Sequence, residues 1–363
     1  KPAKKYLRDF FFISHDAVCF QETDIFQGMS YLFDLSIRLG RPIVICVAIG
    51  SSQGAHDGLG TLSTYVSGIA SATGIGMVIA AGNEGNARRH YSGRADPTTG
   101  YDTVELNVAE NEPGFSMELW GSAPDIYSID ILTPTGEYIP RIAAGRDEHR
   151  VITFIFEATI IYVDYQMVEA QSGEQLILVR FEKPSPGIWR FNVYERVGLN
   201  LGFNIWLPME RFISDGTYFI RSDPFTTILT LGNAVSPLAV TAYNDADDSL
   251  YLNSSRGYTR TNRIKPEVAA PGVNVIGPTL DGGFVPYTGT SISAAHTSGI
   301  AALIYEWAII RGNLPAMSTV EMKNLIVRGA RRDMNVAYPN RDWGYGILDI
   351  FSVFDALRGG ISF

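Results

Sequence analysis

The stretch Tyr287–Trp307, YTGTSISAAHTSGIAALIYEW, decides the fold of this chain. It opens with a flexible pair, Gly289-Thr290, and places Ser291 at the start of a run of small and apolar residues. The run is apolar nearly all round a helical wheel, so it predicts a helix buried in a core. Ser291 would then lie at the N-terminus of that helix, where backbone N–H groups are free and the helix dipole is positive. A hydroxyl held there can be a helix cap or a nucleophile.

Two further motifs lie upstream of this helix. Val78–Gly85, VIAAGNEG, reads as an apolar strand that runs into a tight polar turn, and Lys265–Val275, KPEVAAPGVNV, lies between that turn and Ser291. These three motifs in this order, followed by WGYG at 343–346, closely resemble the subtilisin-like serine proteases, or subtilases. The resemblance implies an α/β fold with a three-layer subtilisin-like parallel sheet. It also implies an endopeptidase in which Ser291 is the nucleophile and Asn83 stabilises the oxyanion.

The same resemblance implies a substrate site for a peptide or protein. Two strand ends line up with those that border the first substrate pocket of subtilases, and their residues are Ala48, Ile49, Gly50, Ala80, Ala81 and Gly82. Subtilases typically have Ser at the position of Ala48, so we expect an altered substrate contact there. The alternative for Asn83 is a plain turn residue, because Asn-Glu-Gly after a strand is good turn chemistry.

The catalytic base is the gap in this interpretation. Subtilases carry an Asp-[Ser/Thr]-Gly strand end and a His-Gly-Thr-His helix start, and neither motif occurs in this chain. None of the five histidines is followed by Gly-Thr; they are His15, His56, His90, His149 and His296. The resemblance gives His296 a structural position, and His56 reads better as a loop residue than as a substitute base.

Two explanations for the missing base stay open. In the first, which we favour, the chain is the C-terminal part of a complete protease whose Asp, His and pro-segment were lost by truncation or are carried elsewhere. In the second, the protein is a pseudoprotease that acts as a binding or signalling scaffold. Within the family, the closest resemblance is to the clostridial Csp-type subtilases of spore germination, which share a jelly-roll insertion. An active member would cleave the precursor of a hydrolase that degrades spore cortex.

The pattern of apolar residues divides the chain into three parts. Residues 1–100 alternate strand, helix and strand, which predicts a βαβ unit with a parallel sheet, preceded at Phe10–Ile13 by the edge of a strand. Residues 101–221 alternate apolar and polar in short runs, which predicts an inserted all-β jelly-roll or sandwich domain. The α/β pattern returns at 222–363. We expect the tryptophans of the insertion, Trp120, Trp189 and Trp206, to be core residues rather than a carbohydrate-binding surface.

The composition excludes several classes of function. The chain of 363 residues has a net charge of −9 and no basic block, so we expect no nucleic-acid or anionic-membrane partner. It has no apolar run of membrane-spanning length, no signal peptide and no initiating methionine. Cys19 and Cys46 lie in apolar sequence and predict two buried free thiols, which favours a reducing compartment over a disulfide-rich secreted location. The Csp-type resemblance implies a bacterial location, spore-associated or cytoplasmic. The sequence predicts no cofactor and no metal site.

Overall fold

The computed structural model describes residues 2–145 and 149–357, and it divides into two compact units. The first, the β-sandwich unit, consists of Lys1–Gln21, Ser52–Ala55 and Ala87–Pro224. The second, the α/β unit, consists of Glu22–Ser51, His56–Asn86 and Phe225–Phe363. The sandwich unit thus takes in residues 87–100 and two short N-terminal segments besides the predicted insertion, 101–221. The chain ends of the predicted domains, residues 1 and 358–363, lie outside the described residues, as do 146–148 of the insertion.

Six α-helices form in the described residues. A 3₁₀ turn at Thr230–Asn233 and a π-helical turn at Glu306–Ile310 add to them. The α-helices are α1 (Lys5–Phe11), α2 (Glu22–Leu39), α3 (Thr61–Ala70), α4 (Thr290–Tyr305), α5 (Thr319–Gly329) and α6 (Ile350–Leu357). Helix α5 starts in a capping box: Ser318 accepts a hydrogen bond from the Val320 amide, and Glu321 accepts one from the Ser318 amide.

Eighteen strands form in the same residues. Those of the α/β unit are β1 (Ile43–Val47), β2 (Ile75–Ala80), β14 (Leu238–Asn244), β15 (Ser249–Leu250), β16 (Val268–Pro271), β17 (Val275–Pro278) and β18 (Phe284–Tyr287). Those of the sandwich unit are β3 (His90–Gly93), β4 (Tyr101–Val108), β5 (Gly114–Gly121), β6 (Tyr127–Leu132), β7 (Tyr138–Ile142), β8 (His149–Thr153), β9 (Ile160–Gln166), β10 (Gln175–Glu182), β11 (Gly187–Glu195), β12 (Phe203–Trp206) and β13 (Tyr218–Phe219).

The α/β unit has the predicted three layers. Its central sheet has the order β1-β2-β14-β15, and β16 also pairs with β14. Pairings β1–β2, β2–β14 and β14–β16 are parallel. Because side chains alternate along a strand, Met77 and Ile79 pack with α2 and α3, whereas Val78 and Ala80 pack with α4, α5 and α6. Both faces of the sheet are therefore covered by helices, as a parallel sheet requires.

The sandwich unit is all-β apart from α1. A six-stranded sheet, β3-β12-β5-β10-β9-β8, and a five-stranded sheet, β13-β4-β11-β6-β7, share one apolar core. Trp189 lies in that core with no exposed surface, and its indole N–H donates to the Ser185 carbonyl at 2.9 Å. Trp120 and Trp206 are 4% and 3% exposed, so all three tryptophans are core residues as predicted.

Three local predictions were wrong. Phe10–Ile13 is not a strand edge, because α1 covers Lys5–Phe11. The Arg8 side chain donates to three carbonyls that follow the helix, including that of Ala17 at 2.7 Å, which fixes the turn there. Cys46 is exposed, whereas Cys19 is buried, and both are free thiols. Helix α4 is not buried all round. Ile304 is fully buried but Leu303 is 55% exposed, so the helix has an open apolar face.

Candidate active site

The turn into α4 brings Ser291 to the second position of the helix. Gly289 precedes the helix with φ 144°, a conformation that favours glycine, and its N–H donates to the Gly272 carbonyl at 2.8 Å. Gly289 is the N-cap and has no side chain, so Ser291 does not cap the helix. Within the described part of the chain, the Ser291 hydroxyl has no hydrogen-bond partner. It is half-buried at the positive end of a 16-residue helix.

The backbone N–H of Ser291 is also available. The neighbouring amides are occupied: that of Thr290 donates to Asn83 Oδ1 at 3.1 Å, and that of Ile292 donates to the Gly289 carbonyl at 3.0 Å. Among residues 2–145 and 149–357, nothing accepts a hydrogen bond from the Ser291 amide. A free N–H beside a free hydroxyl is the arrangement that an oxyanion hole needs, because the oxyanion forms next to the attacking oxygen.

Asn83 is turned so that its side-chain oxygen faces this helix start. Its Oδ1 accepts from both the amide and the hydroxyl of Thr290, at 3.1 and 3.2 Å. Because a backbone N–H only donates, the atom that it meets must be the oxygen, which leaves Nδ2 as the free donor. A Cβ built on Gly289 would lie 3.4 Å from Nδ2. The side chain therefore holds the helix start with its oxygen and offers its nitrogen beside Ser291.

Thr290 also belongs to the site, and the sequence analysis assigned it no role. Its Oγ1 accepts the Gly82 N–H at 3.1 Å and donates to Asn83 Oδ1, so it ties the end of β2 to the start of α4. It is fully buried. The signal was present in the Gly-Thr-Ser motif, but a threonine before a helix gives no indication of a partner 208 residues away.

Segment Ala270–Gly272 is packed against the first turn of α4. Ser293 Oγ donates to the Ala270 carbonyl at 3.0 Å, and a Cβ on Gly272 would meet Ser293 Oγ at 2.2 Å. Glycine is therefore needed at 272 for the chain to approach the helix this closely. This contact explains why the Ala-Pro-Gly motif and the Gly-Thr-Ser motif occur together.

The predicted substrate residues lie at the ends of the adjacent strands β1 and β2. Ala48 and Ile49 follow β1 and are exposed, and Gly50 is half-buried. At the end of β2, Ala80, Ala81 and Gly82 are buried. The ladder pairs Val47 with Ile79, one residue before both segments, so the two segments leave the sheet side by side. Gly82 joins the second of them to the Ser291 helix through Thr290.

Each histidine either contacts other groups or lies on a different face of α4 from the Ser291 hydroxyl. In the α/β unit, His56 is 2% exposed with Nδ1 2.9 Å from the Ile228 carbonyl. His296 is five residues after Ser291, which places it about 140° round the helix, and it is exposed. In the sandwich unit, His15 lies beside Asp9, His90 stacks on Trp206, and His149 pairs with Asp164.

The Lys-Pro-Glu part of the second motif is a buried ion pair. Lys265 Nζ lies 2.8 Å from Glu267 Oε1 and donates to the Pro237 carbonyl, also at 2.8 Å. Glu267 Oε1 is 3.2 Å from Lys323 Nζ, and its Oε2 accepts the Ala239 N–H at 2.8 Å. Burial lowers the pKa of Lys265 from its ordinary value near 10.5 to about 8, although Glu267 opposes that shift. This pair holds β16 against β14 and has a structural role.

The lowered pKa of Lys265 predicts a stability that rises with pH. Between pH 8 and 10.5 the folded protein gives up this proton while the unfolded chain keeps it, so the unfolded state binds more protons. The free energy of unfolding of the wild type should therefore rise across that window relative to that of Lys265→Met. Urea unfolding of both proteins at pH 7.5, 9 and 10.5 measures the difference. Equal slopes in the two proteins would contradict the prediction.

In residues 2–145 and 149–357, His, Cys, Asp and Glu side chains do not gather in threes in a way that could hold a metal ion. None of the helices in those ranges is long and apolar enough to cross a membrane.

Comparison with known proteins agrees with this geometry. Residues 221–346 match the model of the subtilase family, Peptidase S8. The structure of the Clostridium perfringens CspB protease superimposes with a TM-score of 0.88 and 26% identity, over 95% of this chain and 72% of that one. Bacillopeptidase F of Bacillus subtilis is 30% identical over 128 residues, which are 33% of this chain and 8% of that protein.

A third match is an uncharacterized protein of Aquifex aeolicus, 28% identical over 183 residues and covered to 78% of its length. The chain thus spans a small part of bacillopeptidase F and most of the other two proteins. The family model covers the motifs Lys265–Val275 and Tyr287–Ser291, and the structural match extends over both units. Residues 221–346 therefore resemble the subtilase family, and the chain is similar in fold to the Csp-type protease CspB.

Proposed function

We propose that the protein is a subtilisin-like serine endopeptidase that hydrolyses peptide bonds through an acyl-enzyme on Ser291. The observation that supports this best is the free hydroxyl and free amide of Ser291 beside the Nδ2 of Asn83. The hydroxyl attacks the carbonyl carbon of the scissile bond. The oxyanion that forms accepts hydrogen bonds from the Ser291 amide and Asn83 Nδ2. The intermediate then collapses with cleavage of the C–N bond, so that the amine product leaves with the proton that the base took from Ser291 and an ester remains on the serine. Water hydrolyses the ester and releases the second product.

The base that takes the Ser291 proton belongs, in this proposal, to residues outside the chain. His56 is engaged with the Ile228 carbonyl, and His296 lies on another face of α4. A histidine and its orienting carboxylate would thus be supplied by a segment that binds this chain, either the rest of its own polypeptide or a pro-segment. For the substrate we propose the one that the Csp-type resemblance implies, the precursor of a spore cortex hydrolase. For the location we propose a bacterial one, spore-associated or cytoplasmic. The likeness to CspB supports both proposals.

A second candidate is a pseudoprotease that binds peptides or partners without cleaving them. The position of the histidines favours it, because neither His56 nor His296 is arranged to take the Ser291 proton. The intact oxyanion donors favour the protease. A binding scaffold needs neither a free hydroxyl nor a free amide at the same helix start.

Labelling with a fluorophosphonate serine probe separates the two candidates. We expect the full-length product of the gene to be labelled, since a base-activated serine attacks phosphorus. The Ser291→Ala variant should not be labelled. Ser298→Ala is the matched control: this serine lies two turns later in α4 with its Oγ on the Ala294 carbonyl at 2.7 Å, and its loss should leave labelling unchanged.

Each outcome of this labelling has a defined meaning. A folded wild-type protein that is never labelled would overturn the protease and support the scaffold. Labelling that survives Ser291→Ala would assign the nucleophile to another residue. Labelling of residues 1–363 alone would show that the base lies within them, and His56 would be the first residue to replace.

A further inference from the structure

We infer that the side chain of Leu229 closes the substrate pocket beside Ser291, so that the residue whose carbonyl is attacked must be small: Gly, Ala or Ser. The inference rests on the proposed function, because the pocket has a substrate only if Ser291 acts on a peptide. It adds the class of peptide that the site accepts. The sequence did not indicate Leu229, which lies within the third predicted part of the chain, 222–363, in a segment without a motif.

Leu229 fills the space between the two predicted pocket walls. A Cβ built on Gly50 would lie 2.6 Å from Leu229 Cδ1, and a Cβ built on Gly82 would lie 2.6 Å from Leu229 Cγ. Real Cβ atoms do not approach other carbons this closely, so both walls must be glycine for the leucine to fit. Leu229 is 6% exposed. The two glycines thus do not leave an open cleft; a leucine side chain occupies the volume between them.

The backbone of Leu229 is fixed to both walls. Its N–H donates to the Ala81 carbonyl at 2.9 Å, and the next residue, Thr230, donates to the Ser51 carbonyl from its amide at 2.8 Å. Asn233 Nδ2 donates to the Ile228 carbonyl at 2.9 Å and to the Leu229 carbonyl at 3.3 Å. A segment held at its start, its middle and its end does not swing aside, so a large substrate side chain cannot displace the leucine at low cost.

Gly82 connects this leucine to the nucleophile. It contacts Leu229 on one side, while its N–H donates to Thr290 Oγ1, one residue before Ser291, at 3.1 Å. A peptide whose carbonyl reaches Ser291 therefore places the side chain of that residue toward the space that Leu229 occupies. The leucine offers neither a charge nor a hydrogen bond, so the remaining space suits a small uncharged side chain.

Peptide anilides that differ only in the residue next to the anilide test the inference on the full-length protein. We expect kcat/KM for Ala to exceed that for Phe by at least about tenfold, since misfit in an apolar pocket changes rates by roughly 10–200-fold. Leu229→Ala should raise Phe relative to Ala by a similar factor. Leu231→Ala is the matched control, because it removes the same atoms at another place. Leu231 is 3% exposed and lies in the core beside α3 and β1. Thermal melts show that both variants are folded.

Binding provides a second readout that does not need catalysis. Fluorescent peptides that end in Ala or Phe are titrated onto the same three proteins, and the ratio of their Kd values is compared. The inference is supported if the wild type binds the peptide that ends in Ala more tightly than the one that ends in Phe, and if Leu229→Ala reduces this preference whereas Leu231→Ala does not. Equal use of Ala and Phe by a wild type that cleaves the anilides would overturn it while leaving the protease intact. If Ser291 is neither labelled nor active, the proposed function fails. The Kd values then decide whether Leu229 closes the pocket: equal Kd values of the wild type for the Ala and Phe peptides would overturn the inference.

Discussion

Replacing Asn83 with Asp lowers kcat/KM of the full-length protease by roughly 10²–10³-fold while α4 keeps its start, a range that comes from an oxyanion donor of a subtilisin. Aspartate retains the Oδ1 that accepts from the amide and hydroxyl of Thr290. It replaces Nδ2 with a second oxygen, which cannot donate to the oxyanion and repels it. The substitution thus separates the two roles of this side chain, and the loss should appear in kcat.

Asn83→Ala is the comparison that completes this test. Alanine removes the donor and the acceptor together, so it should show a similar rate loss and, in addition, destabilise the helix start by about 1 kcal/mol, as the loss of a capping oxygen does. Steady-state kinetics and thermal melts of the three proteins give both quantities. A fall in kcat/KM of less than threefold in a folded Asn83→Asp protein would remove Asn83 from the oxyanion site and favour its reading as a turn residue.

Replacing Glu267 with Leu destabilises the protein by about 3–5 kcal/mol, the usual loss when one partner of a buried ion pair is removed. Two groups lose a partner: fully buried Lys265 Nζ loses its carboxylate and keeps the Pro237 carbonyl, and the Ala239 N–H loses Glu267 Oε2, to which it donates at 2.8 Å. Lys323, the other cation, is partly exposed and regains water. The cost therefore comes from the charge left behind rather than from the bond itself.

The control for Glu267 is a double variant. Lys265→Met with Glu267→Gln removes both buried charges, keeps an oxygen for the Ala239 amide and has nearly the same volume. It should recover at least half of the stability that Glu267→Leu loses, because replacing a buried pair by groups of similar shape is often close to neutral. Urea unfolding measures all three proteins. If the double variant were as unstable as Glu267→Leu, packing rather than the uncompensated lysine would account for the loss.

The sequence predicted the parts of the fold that depend on local pattern. The strand, helix and strand predicted within residues 1–100 correspond to β1, α3 and β2, and the short alternating runs of 101–221 form strands of the sandwich unit. The candidate site could also be predicted from the sequence, because its motifs contain Gly289 and Gly272, two positions where the structure requires glycine. The roles of Ser291 and Asn83 stay predictions until the labelling and kinetic tests are made.

What the sequence could not give depends on partners far along the chain. Phe10 has strand propensity, but it lies in α1, where the Arg180 guanidinium packs 3.9 Å from the centre of its ring. Leu303 belongs to an apolar run, and its exposure is set by which faces of α4 the sheet covers. Leu229 has its meaning only beside Gly50 and Gly82, about 180 and 150 residues away. Single-sequence pattern does not contain such contacts.

The interleaved order of the two units sets when each can be completed during synthesis. Strand β2 ends at Ala80, but its second neighbour begins at Leu238, so its open edge waits for roughly 160 residues. At about 5–20 residues per second this is on the order of 10–30 s on the ribosome. The sandwich unit is complete earlier, since its last segment ends at Pro224. The apolar pair β1–β2 lacks its next neighbour for that time, so we expect a chaperone to bind it while the sandwich unit folds.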